Sequence, residues 1–170
     1  MEFTGDLTVD NTSTINIAAN KRFQVSGSND ITVNDNNLIL DGEGALDCSG
    51  TIILTTGLLG ISNNIELDAN VNFNGSATMD ISANKTFNYD GLSIDISNNN
   101  TLTITGEGVL DNANSVDIND GTLDIDGNME FTGDLTVDNT STINVAANKR
   151  FQVSGSNDIT VNANNLILDG

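Results

Sequence analysis

Histidine, tryptophan and proline are absent from this 170-residue chain, cysteine occurs once, and only five residues are basic. Each gap excludes something. Without His there is no Ser-His-Asp or Cys-His catalytic arrangement and no imidazole ligand for a metal. A single Cys permits no intrachain disulfide and no CxxC motif. Five Lys and Arg against 24 Asp and Glu leave a formal net charge of −19. That balance argues against binding nucleic acid or an anionic membrane surface, both of which need a basic face. No apolar run is long enough for a membrane-spanning helix, and the first residues carry no signal-peptide pattern.

What is abundant points to strands. The chain holds 28 Asn, 19 Asp, 19 Thr and 16 Gly, all weak helix formers. Triplets such as Leu7-Thr8-Val9 and Leu123-Asp124-Ile125 alternate apolar and polar residues with the period of a strand. Regularly placed β-branched residues also argue against disorder, despite the charge.

The sequence repeats itself. Met1 to Gly42 returns as Met129 to Gly170 with two changes, Ile17 against Val145 and Asp35 against Ala163. A weaker copy lies halfway, where Lys21, Phe23 and Gly57 return as Lys85, Phe87 and Gly121, and Gly42-Glu43-Gly44 as Gly106-Glu107-Gly108. The units are therefore 1–64, 65–128 and an incomplete 129–170. Fixed periods of this kind mark a solenoid or array. Each unit divides again into segments of 20, 24 and 20 residues, each holding three short alternating runs. The expectation is an all-β parallel β-helix with three strands per coil and about eight coils, residues 1–170 forming one solenoid segment. Parallel crossovers favour right-handed winding. If the outer residues of each run point inward and the middle one outward, 47 of the 48 inward positions are apolar, Asn112 being the exception. Missing Pro fits, because every coil needs its backbone donors. Asp-Gly and Asn-Gly pairs also suit hairpins, but an antiparallel array has no reason to keep 20/24/20 spacing.

Stacked coils lie about 4.8 Å apart, where equivalent carboxylates repel and equivalent amides can bond to one another. Asn20, Asn64, Asn84, Asn128 and Asn148 accordingly read as a structural ladder at the corners. The outward centre of the first face reads Glu2, Gln24, Asp47, Glu66, Asn88, Asp111, Glu130, Gln152. It sets Asp47 beside Glu66, and Asp111 beside Glu130, on neighbouring coils. Such pairs are candidate Ca²⁺ ligands, with a plain solvated face as the alternative; no other cofactor is indicated. Ile39 and its repeat partner Ile167 are outward apolar residues that suit lateral contact between rods. Lys21, Arg22, Lys85, Lys149 and Arg150 open the longer coils and read as solvated corners. Glycosylation sequons occur at Asn11, Asn74, Asn84, Asn99 and Asn139. Cys48 falls at an inward site, where it acts as a small hydrophobe.

The strings GDLTVDNTSTINIAAN and GTLDIDGNMEFTGDLTVDN resemble the β-strand repeats of filamentous-haemagglutinin-like adhesins and autotransporter passengers. The resemblance covers the whole chain and lies in repeat texture. It implies an extracellular, cell-surface parallel β-helix used as a stalk, fibre or surface layer, with adhesion as a further role. The reading is a structural, non-enzymatic segment of an acidic surface filament, joined end to end with copies of itself or cut from a longer array. The alternatives are an adhesin module that binds carbohydrate or a partner, and a Ca²⁺-stabilised surface layer. Neither nucleic acid nor membrane insertion is expected.

Overall fold

The computed structural model describes residues 1–89, 94–112, 115–162 and 165–169, with the side chains of all of these except 112, 115 and 165–169. Twenty-two strands and no helix occur among the described residues. Every pairing between those strands is parallel. The chain is a β-solenoid, as the repeat and the alternating triplets predict.

The pairings fall into three series. One begins at Glu2–Phe3 and ends at Phe151–Val153, a second runs from Leu7–Val9 to Ile159–Val161, and a third from Ser13–Ile17 to Asn165–Asp169. The third is a sheet of its own, eight strands deep, or roughly 34 Å from first strand to last at the usual strand spacing. The first two series join into one sheet through two long strands, Ala45–Leu54 and Ile65–Phe73, which pass from one face to the next without a break.

The core runs along the axis. The alternating inner residues from Val9 to Ile143 are buried, with Leu7, Ile15, Phe23, Val145, Phe151 and Val153 packed against them. Met1, Phe3, Ile159 and Val161 are the large apolar side chains left exposed among the described residues. Phe87 is buried against Tyr89, and Phe131 meets Phe151 edge-on at 4.8 Å. Ala45, Ala69 and Ala77 are buried as well, small residues that the alternation alone does not pick out. The side chains of Asn112, Leu166, Ile167 and Leu168 lie outside the described residues.

The register departs from the simple alignment of triplets, and it does so periodically. On the second series the outward column is the expected one: Thr8, Thr32, Ile53, Asn72, Asp95, Asp117, Thr136, Thr160. On the first series, however, Asp47 lies opposite Asp68 and not Glu66, and Val109, not Asp111, lies opposite Glu130. Ala45–Leu54 accommodates the slide in a bulge between Asp47 and Thr51, which face Asp68 and Asn70. The third series slides equally: Ile15 faces Leu40, Met79 faces Ile104 and Ile143 faces Leu168. A slide of one residue would expel the core side chains, but a slide of two keeps every inward residue inward. Burial therefore cannot oppose it, and corner geometry decides.

Candidate functional site: the charged edge

The corner that leads from the third series into the first begins with a tight turn. Lys21, Lys85 and Lys149 each donate a backbone N–H to the carbonyl three residues back, at 3.0, 3.0 and 2.9 Å. The third residue of each turn is Asn20, Asn84 or Asn148, with φ of 59°, 60° and 63°. Asn tolerates this left-handed conformation better than other side-chain-bearing residues. Asn64 and Asn128 act differently. Their Oδ1 atoms accept the backbone N–H of Thr86 at 2.9 Å and Arg150 at 3.1 Å on the next coil. The five asparagines of the expected ladder thus divide between setting the turn and bonding to backbone. No amide-to-amide bond joins Asn64 to Asn84 or Asn128 to Asn148 among the described hydrogen bonds; an amide pair of that kind occurs on another corner, from Asn139 to Asn119.

All five basic residues and all five glutamates, Glu2, Glu43, Glu66, Glu107 and Glu130, lie on this corner or on the first face beside it. The other faces carry only aspartate as a charged residue. Long side chains can span more than one coil, and here they do. Arg22 lies 3.2 Å from Asp47, 3.4 Å from Glu66 and 3.6 Å from Asp68. Its pKa is raised, first by the hydrogen bond to Asp47. Lys149 reaches Glu107 at 3.8 Å, and Lys85 donates to Asn63 Oδ1 at 2.9 Å. Arg22 is therefore an ion-pair centre, not merely a solvated corner. The alternating triplets conceal this, because the cross-coil partners depend on the register slide.

The slide also changes the partners of the expected carboxylate pairs. Asp47 accepts bonds from Arg22 and from Gln24, the latter at 3.1 Å, while Asp111 accepts one from Thr132. Asp47 and Glu66 meet through Arg22; Asp111 and Glu130 are not set opposite each other. Among the described residues no three Asp, Glu or Cys side chains converge as a metal-binding group. Ile39 is half-buried on the third series, its Cδ1 folded over Gly60, where a Cβ would lie only 2.6 Å away. Cys48 is buried, its thiol facing the Asn29 carbonyl at 3.5 Å, and burial raises its pKa.

The same slide builds a groove. Arg22, Ala45, Glu66, Asn88 and Asp111 face one another in succession on five adjacent strands. With Asn20, Lys21, Glu43, Gly44, Asn64, Ile65 and Thr86 beside them, they line an open depression of about 600 Å³. No protein-family model matches the chain, and no curated protein or solved structure is similar to it at a significant level.

Proposed function

We propose that the chain is a structural β-solenoid segment of an extracellular filament, stalk or fibre, whose activity is its length and stiffness. The supporting observation is the continuous apolar core from Val9 to Ile143 under a register that recurs with the 64-residue unit. Each coil contacts only its neighbours, so length is added without redesign of the core. Its partners on this reading are copies of the same unit, stacked end to end or consecutive in one chain, and the surface aspartates keep the rods apart. Electron microscopy of negatively stained tandem arrays tests the reading. Each added 128 residues, or six coils, should lengthen the particle by about 29 Å at constant width. Particles that grow in every dimension would sink the proposal.

A further inference from the structure

We propose that the groove beside Arg22 is a binding site for a neutral oligosaccharide. The inference is independent of the rod reading and rests on four observations. The first is shape. The column from Arg22 to Asp111 spans four strand spacings, roughly 19 Å, and presents one polar side chain per strand except at Ala45. That spacing is close to the length of one sugar ring, so an extended chain of rings would meet a new side chain at each step. The second is chemistry. Among the described residues, the exposed Asn20 and Asn88 make no side-chain hydrogen bond, and exposed Asn64 makes one through its Oδ1 alone. Amides that offer donor and acceptor together, interleaved with carboxylates, match vicinal hydroxyl groups.

The third observation is what the groove lacks. Its walls carry no aromatic or large exposed apolar side chain, which leaves nothing for a lipid or an apolar peptide anchor. Arg22 is already held by three carboxylates. The lining holds two cations, Lys21 and Arg22, against three carboxylates, Glu43, Glu66 and Asp111, on a chain of net charge −19, so a uronate or sulfated chain would be repelled. The fourth comes from the repeat. The corresponding column one unit further on reads Thr86, Val109, Glu130, Gln152. Val109 stands there in place of Ala45, and Arg150 stands one further unit on in place of Thr86. Small residues at 45 and 86 thus open the depression at a level where the other units carry larger ones.

Those differences supply the test. The double variant Ala45→Val, Thr86→Arg installs residues that this fold already accepts at equivalent positions. Side-chain amide NMR spectra of the 170-residue chain would be titrated with cellotetraose, chitotetraose and tetragalacturonate. The expected result is saturable shifts at Asn20, Asn64 and Asn88 with at least one neutral tetrasaccharide, weakened about tenfold or more in the double variant. Thermal melting of the variant checks that it remains folded. Should it unfold, Asn88→Ala at the exposed wall replaces it. Absence of shifts with both neutral probes, equal shifts in the folded variant, or tighter binding of tetragalacturonate would each overturn the proposal. None of these outcomes bears on the rod, which the particle lengths decide.

Discussion

Tyr89 is a large polar-tipped side chain placed inside an apolar stack. Its hydroxyl accepts the backbone N–H of Val71 at 3.2 Å, and burial pushes its pKa well above the ordinary tyrosine value. The equivalent positions one unit away are Val25 and Val153, so no repeat rule demands a tyrosine. Its hydroxyl satisfies a backbone donor inside the solenoid, and a buried donor left unpaired costs about 1–3 kcal/mol. Tyr89→Phe should therefore lower the unfolding free energy in urea by about that amount, although shape and apolarity are kept. A loss under about 0.5 kcal/mol, smaller than a typical net hydrogen bond, would mean that Val71 finds another acceptor. The turn asparagines make a companion case. Asn84→Gly should be nearly neutral, whereas Asn84→Val, forced to φ near 60°, should cost about 1–2 kcal/mol. The position of these asparagines is plain in the sequence. Their physical role is not, because an amide suits a ladder, a backbone bridge and a left-handed turn equally well, and only the local dihedral separates them.

At the scale of the strand, alternation identifies which residues face inward, and periodicity identifies which strands stack. The pairing partner across coils is less legible. Apolar alternation is blind to a slide of two residues, so Asp47 opposite Glu66 and Asp47 opposite Asp68 look equally sound until the bulge at Asp47–Thr51 is known. Glycines help fix the choice in the third series. Gly42 and Gly106 have φ of 93° and 86°, and a Cβ there would lie 2.2 Å from the Ile17 carbonyl oxygen and 2.1 Å from that of Ile81. Gly106→Ala should cost more than about 1 kcal/mol, since the conformation is strained and the neighbour is backbone. Urea unfolding with the Asn84→Gly protein as reference would measure it. Arg22 holds the first series across the slide. Arg22→Gln should lower the melting temperature in low salt, and the difference should shrink in 0.5 M NaCl, because its partners are partly exposed and open to screening. A difference unaffected by salt would assign the loss to packing over Ala45 instead.

The whole molecule is a β-solenoid bearing nineteen net negative charges, with its cations gathered on one edge and carboxylates on every other face. Self-repulsion of this size opposes the compact state. Two aspartates show it locally, on top of the larger cost of their partial desolvation. Asp95 has a raised pKa because its carboxylate is partly desolvated on the sheet and faces Asp117, and Asp124 because it is partly desolvated and near Asp126, against a smaller opposing bond from Asn144. A carboxylate whose folded pKa lies above its unfolded one binds its proton more tightly when folded. Its contribution to stability is complete below the ordinary value of 3.8 and is lost as pH rises through the folded value. The melting temperature at fixed ionic strength should accordingly be higher at about pH 4.5 than at about pH 7, the reverse of proteins whose carboxylates are salt-bridged. Added NaCl should raise it at pH 7 and do less at pH 4.5, where part of the charge is already gone; screening at 0.1 M acts over about 10 Å. Asp95→Asn combined with Asp124→Asn should stabilise the protein at pH 7 and flatten the pH dependence. If acidification instead lowers the melting temperature, the paired carboxylates around Arg22 outweigh the repelled ones, and that balance can be read by repeating the titration in the Arg22→Gln background.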